Sequence, residues 1–514
     1  MPNVLRSLPL LAAACAAALL AACGPPGDTP TPTPTPALTP TATAVTTQVP
    51  EVVPTPDAAP SPVPVPTPTP DVTLTPTPAP DAPTGTPVPV PVPTVTPIAA
   101  ATVIFDSDAL IAFELDPLIA LYEATGGDNW TDNTNWLSDE PRGTWHGVTT
   151  GDDGRVTELV LDGNNLRGRI PGALGALEKL TRLSFKGNQL TGSIPPELSD
   201  PTGLKVLNLG RNQLIGQIPL ELGSRTSLTE LDLHSNELTG EIPVQLAHLA
   251  NLTHLRLGGN DLTGKIPVEL ATLSSLTELD LMGNNLTGEI PVELATLTNL
   301  TRLSLNTNDL TGSIPTELTA LSNLQFLSLF GNKLTGGIPA ELGGMASLVD
   351  INLFDNQLSG TIPPELANLS NLESLQIYQN HLTGNIPPEL VRLSNLEVLT
   401  VDSNRMSGTI PPFLGEMSSL RWINLADNQF SGTIPPELGN LPNLEYLNVV
   451  SNQLVGAIPH ELTGLSGLKY FYFYGNDGVC VPTDAAFQAW LRNIPARSIN
   501  IQACMPEEVG PSSP

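Results

Sequence analysis

Between residues 156 and 482 the apolar positions return at a fixed interval of 24. The first apolar slot falls at Val156, Leu180, Leu204 and Leu228, and onward in equal steps to Leu468, giving fourteen copies without insertion or deletion. One copy reads Leu276-Thr-Glu-Leu279-Asp-Leu281-Met-Gly-Asn284-Asn-Leu286-Thr-Gly288-Glu-Ile290-Pro291, followed by Leu294 and Leu297. Leu279 and Leu281 alternate with Glu278, Asp280 and Met282, which predicts a short strand with leucines inward and polar residues outward. One such strand cannot bury its leucines alone. Identical strands stacked about 4.8 Å apart as a parallel sheet make a continuous core, closed on the far side by Leu286, Ile290, Leu294 and Leu297. Asn284 stands where the chain must turn inward, and its slot holds asparagine in all fourteen copies, Asn164 to Asn476. An amide that both donates and accepts suits a ladder serving the stranded backbone groups of its own and the next repeat. Gly288 permits a left-handed backbone, and Pro291 excludes a regular helix through the Ile-Pro step.

Thirteen copies carry Gly-x-Ile-Pro after the asparagine, from Gly168-Arg-Ile170-Pro171 to Gly456-Ala-Ile458-Pro459. The pattern resembles the plant-type leucine-rich repeat. That resemblance implies an α/β solenoid: a right-handed arc with a concave parallel sheet and a convex side of extended and 3-10 segments. Residues 156–479 form the repeats, and both open ends require covers. Residues 102–155 are expected to cap the front, with an amphipathic helix from Asp108 to Ala124 followed by Trp130, Trp136 and Trp145 over the exposed core edge. The segment is similar to the N-terminal cap of the same family but lacks that cap's usual cysteine pair. Residues 480–508 are expected to cap the back, with a helix from Thr483 to Ile494, and 509–514 are a tail. Cys480 replaces the repeat glycine in the fourteenth copy, and Cys504 follows one full period later. In an exported chain these two thiols are expected to form a disulfide.

Export is suggested by residues 1–22, where Arg6 precedes an apolar run from Leu8 to Leu20. The run ends Leu20-Ala21-Ala22-Cys23-Gly24, which resembles a bacterial lipobox and implies a diacylglyceryl anchor on Cys23; Cys15 is the weaker candidate. Residues 23–101 alternate Pro and Thr, forbidding helix and sheet alike. They read as a disordered, semi-rigid stalk of roughly 200 Å if fully extended at about 3.1 Å per residue. No later segment is long and apolar enough to cross a membrane. The expected location is the cell surface, with the repeats outside.

The chain of 514 residues carries a formal charge of −30. That acidity disfavours nucleic acid as a partner. The six histidines form no ligand-spaced cluster, so no metal or other cofactor is expected. Two outward columns alternate in sign: Glu230, His254, Glu278, Arg302, and beside them Asp232, Arg256, Asp280. Arg256 is expected to neutralise both aspartates, leaving cross-strand pairing and no enzyme. The glutamates after Ile-Pro, from Glu197 to Glu461, read as a solvated stripe. Aromatic residues are 4% of the chain, yet Phe326, Phe330, Phe354, Tyr378, Trp422 and Tyr446 crowd onto outward strand positions of the later repeats. They are the candidate ligand-binding residues, whereas Tyr470 to Tyr474 are expected under the back cap. The function these features favour is non-catalytic recognition of an extracellular protein, peptide or glycan. The alternatives are a structural surface protein or adhesin, or an inhibitor of a foreign hydrolase.

Overall fold

The computed structural model describes residues 114–498 and 502–505. The leader, Cys23, the Pro/Thr segment and the start of the expected front helix lie outside the described residues. Sixteen strands form one sheet, from Val148–Thr150 to Ala496–Arg497. Only its first pair, Val148–Thr150 with Val156–Val160, is antiparallel. Each later strand as far as Tyr470–Tyr472 advances by one repeat, so that His254 lies beside Glu278 and Glu278 beside Arg302. A second side of each turn carries short strands such as Gln189–Gly192 and Gln213–Gly216, paired into smaller parallel sheets. The third side is a row of 3-10 turns such as Val292–Thr296, each beginning directly after the proline of the Ile-Pro step. Leu279, Leu281, Leu286, Leu294 and Leu297 are fully buried between these sides.

The asparagine slot works as a ladder, with one correction to its direction. Asn284 Nδ2 donates to the carbonyls of Leu281 and Met282 in its own repeat and of Leu257 in the preceding one. Its Oδ1 accepts from the Leu262 N–H, also in the preceding repeat. The bonds reach backward because the following turn's asparagine serves Leu286 and Leu281 in the same way. The residue before each asparagine turns the chain through a left-handed backbone. Gly283 does this at φ 59°, but so do Arg211, Ser235, Thr307 and Asp355, all between 53° and 56°. The tight interior turn is imposed on L-residues by the ladder, and only some copies relieve it with glycine.

Both ends are closed. Helix α1, Leu115–Ala124, buries Leu118 and Leu121. Glu114 ahead of it is fully buried and ties the first repeat down, accepting from Val156 N–H at 2.9 Å and from Arg155 at 3.0 Å. Trp130, Trp136 and Trp145 are buried in a chain of ring contacts, and each indole N–H donates to a backbone carbonyl. Buried indoles with satisfied N–H groups act as packing over the core edge. At the back, helix α2 spans Ala485–Asn493, two residues shorter at its start than its apolar spacing suggests, because the Asp484 side chain caps it by accepting from Phe487 N–H. Cys480 and Cys504 form a disulfide. Among the described residues no helix is long and apolar enough to cross a membrane.

Candidate functional site

The outward residues of the sixteen-stranded sheet form three parallel columns, because parallel pairing without register shift places equivalent residues side by side. Around repeats 8–13 the first column reads Phe326, Asp350, Ser374, Val398, Trp422, Tyr446. The second reads Ser328, Asn352, Gln376, Thr400, Asn424, Asn448. Two residues further along each strand, the third reads Phe330, Phe354, Tyr378, Asp402.

The aromatic side chains form two stacks. Phe330 lies on Phe354 and Phe354 on Tyr378, each pair with centroids 4.2 Å apart and near-parallel planes. Trp422 lies flat on Tyr446 at 3.8 Å. Phe326 is apart from both, its ring covered by the Arg302 guanidinium at 4.1 Å. Phe326, Phe330, Phe354, Tyr378 and Trp422 are half-buried. Tyr446 is a correction: at 1% exposure it offers no contact surface, because Trp422 covers it and Tyr470 and Tyr472 crowd its other sides. Its hydroxyl accepts from Asn448, and burial pushes its pKa up. At the back end Tyr470 and Tyr472 are half-buried while Tyr474 is exposed, so the cap covers this group less than expected.

Between the stacks is a polar floor that no motif announces. Ser374, Gln376 and Thr400 are all more than nine-tenths buried although they stand on the outer face. Gln376 donates to Ser374. Burial raises the Asp350 pKa to about 6, against the opposing effects of the Ser374 hydroxyl and Arg302. Asp402 is raised further, to about 7, by burial and by the neighbouring charge of Asp427. Four buried side-chain polar atoms among the described residues lack a hydrogen-bond partner, and three are here: Asn352 Oδ1, Thr400 Oγ1 and Asp402 Oδ1. The signal that could have found them was the column arithmetic, which places Thr400 and Asp402 between two aromatic groups on adjacent strands.

The acidic columns of the earlier repeats behave differently from expectation. Arg256 bridges Glu230 at 3.1 Å and Glu278 at 2.6 Å, leaving Asp232 at 3.9 Å. Asp232 is held low by His234, whose ring nitrogen lies 2.5 Å away, against the opposing effect of burial. Asp280 is not neutralised in full: burial raises its pKa, against the opposing effects of the Met282 N–H, His234 and Arg256. The guanidinium reaches along the first column instead, where two carboxylates flank it. A depression of about 530 Å³ beside the later strands is lined by Glu397, Arg421, Glu445 and Lys469. Its charges already pair, Arg421 and Lys469 both with Glu445 at 2.5 Å. Among the described residues no three His, Cys, Asp or Glu side chains gather so as to hold a metal ion.

Leucine-rich-repeat family models match residues 154–214, 226–286 and 394–454, and a second such model matches 299–321, 323–345, 347–369 and 371–393, together just over half of the chain. A comparison with curated protein sequences finds no match. Among solved structures, the chain is similar to PEPR1 in the PEPR1–AtPEP1 crystal structure, at 32% identity and TM-score 0.64 over 72% of this chain and 52% of that one. The chain thus spans about half the length of that relative. It is also similar to the Arabidopsis receptor kinase HAESA, solved with the peptide hormone IDA and the co-receptor SERK1, at 29% identity and TM-score 0.61 over 76% of this chain and 70% of that one. A leucine-rich-repeat protein of Leptospira interrogans matches at 29% identity and TM-score 0.56, over 68% of this chain and 86% of that one.

Proposed function

We propose a recognition role on one premise: the chain belongs to the leucine-rich-repeat family. The face of the long sheet binds an extracellular protein, peptide or glycan by shape and contact, without chemical turnover. The observation that carries this reading is the pairing of a half-buried aromatic stack with a polar floor that holds three unpartnered atoms on the outer face. Rigid aromatic groups around desolvated polar atoms are the ordinary makeup of a binding hot spot. The solved complexes of PEPR1 with AtPEP1 and of HAESA with a peptide hormone support a peptide among these ligand classes.

The test is replacement of Phe330, Phe354 and Tyr378 together by serine, followed by pull-down from native surroundings. Loss of the captured partner with the fold intact is the expected result; unchanged capture refutes the site. It would favour the alternative of a structural surface protein or adhesin, in which the regular repeats supply length alone. An inhibitor of a foreign hydrolase would instead reveal itself by capturing an active enzyme and suppressing it.

Display at the cell surface rests on Cys23. In this reading acylation at Cys23 anchors the chain in a membrane and the Pro/Thr stretch holds the repeats away from it. Cys23→Ser should release the protein into the soluble fraction, and continued membrane retention would count against the anchor.

A further inference from the structure

The polar floor has a chemical sign, and it names a class of ligand group. Asn352 Oδ1 and Asp402 Oδ1 are acceptors, and Thr400 Oγ1 accepts as readily as it donates. Thr400 is 6% exposed, and it stands on the outer face because its strand neighbours Leu399 and Val401 are fully buried in the core. Asp402 follows two residues later on the same face. No lysine or arginine pairs with it among the ion pairs of the described residues, and the neighbouring charge that acts on it is a second carboxylate, Asp427. Asp402 is half-buried and the Ser403 side chain bonds to it, but a carboxylate oxygen shut from water without a cation or donor costs stability and contributes nothing to the solenoid.

The first column shows what a completed version looks like. There Arg302, Phe326 and Asp350 occupy successive strands, the guanidinium lies over the ring, and its charge favours the ionised form of Asp350. In the third column Phe354, Tyr378 and Asp402 occupy successive strands, and among the described residues no arginine stands in that column. Resting on the recognition role above, we propose that Thr400 and Asp402 receive a cationic side chain of a bound peptide, an arginine guanidinium or a lysine ammonium. Asn352 lies two strands away on the same floor and accepts from a neighbouring donor of the same ligand. The edges of the Phe330–Phe354–Tyr378 stack wall its apolar stem. A sugar is the poorer fit, because both faces of Phe354 and one face of Trp422 are already filled by other rings, and a pyranose needs an open ring face.

The probe is an array of immobilised random octapeptides with a fixed central Arg, Lys, Gln or Glu, alongside an array of neutral oligosaccharides. Both are exposed to the full chain at about 0.15 M salt, where diffuse attraction to the acidic surface is screened. The central-Arg and central-Lys sets should retain the protein over the Gln set. Asp402→Asn should lower that retention by about tenfold or more, the usual scale for a lost charge-assisted hydrogen bond. Thr400→Val should lower it less. The charge-matched control Glu365→Gln, at an exposed residue, should change nothing. Circular dichroism confirms that each variant is folded. The proposal is overturned if Asp402→Asn binds the Arg set as well as the parent does, or if only the oligosaccharides retain the protein. Should Asp402→Asn keep Arg binding while the triple serine variant loses it, the cation site falls and the recognition face stands. Unchanged binding by both variants removes both.

Discussion

Replacing Asn284 by alanine isolates what the ladder is worth. The amide makes four hydrogen bonds, one accepted from Leu262 N–H at 3.0 Å and three donated at 3.1–3.2 Å to the carbonyls of Leu257, Leu281 and Met282. The losses are unequal. Leu281 O keeps the Asn308 amide at 3.0 Å, and Leu257 O keeps the Asn260 amide at 2.9 Å, so those carbonyls lose a second partner and not their last one. Leu262 N–H loses its acceptor outright in a fully buried position, which costs about 1–3 kcal/mol. Adding the weakened carbonyl bonds, at under about 1 kcal/mol each, gives a destabilisation of about 2–4 kcal/mol. Stacked repeats unfold through nearest-neighbour coupling, so a break in the middle is felt by the whole array. Urea unfolding followed by circular dichroism should show a lower midpoint with an unchanged slope. A loss below about 0.5 kcal/mol, the scale of a neutral surface change, would mean that water or a backbone shift serves Leu262 N–H equally well, and the ladder argument would fail.

Three further outcomes are expected. Thr307, a β-branched residue at φ 55°, should gain about 0.5–1 kcal/mol on replacement by glycine, relief of left-handed strain exceeding the added chain entropy; a lower urea midpoint would refute this. Burial raises Asp350 and Asp402 to about 6 and about 7, above the unfolded value near 4, so the folded chain holds more protons between about pH 4 and pH 7. Their contribution therefore falls as pH rises through that window, with Arg302, Ser374 and Glu373 acting on Asp350, and Ser403, Asp427 and Tyr446 on Asp402. The Asp350→Asn, Asp402→Asn double variant should gain melting temperature over the parent at pH 8 and little at pH 4.5, and an equal gain at both would refute the assignment. Cys504→Ser should cost about 3 kcal/mol at the C-terminal end, the polymer value for a loop of this length, read as faster proteolysis beyond residue 480.

The columns were legible in the sequence because a 24-residue period without insertions leaves the register no freedom. Phe330, Phe354 and Tyr378 had to be neighbours once their strands were parallel. Depth was not legible. Alternation says which way Tyr446 points, but only packing reveals that Trp422 lies flat over it. The same limit hid Asp350 and Asp402, which read as surface acids one at a time and become half-buried only under side chains supplied by adjacent turns. Arg256 failed in a related way, since spacing alone cannot say whether a long guanidinium reaches across its own column or along the next. The left-handed residues before the asparagines escaped notice because Arg211, Ser235 and Thr307 are poor markers of that conformation.

These failures separate architecture from function. Leucines, asparagines and the Ile-Pro step are fixed by the need to close each turn, and no freedom is left there for recognition. Outer-face residues are not needed to close a turn. A partnerless Thr400 Oγ1 on that face is therefore a cost the solenoid has no use for. If it persists for binding, Thr400→Val should raise the unfolding midpoint while weakening capture of the ligand, because the methyl replaces a desolvated hydroxyl at nearly the same volume. An architectural role predicts the reverse: a lower midpoint with capture unchanged. The two measurements on one variant thus distinguish a polar floor kept for a ligand from one kept for the fold.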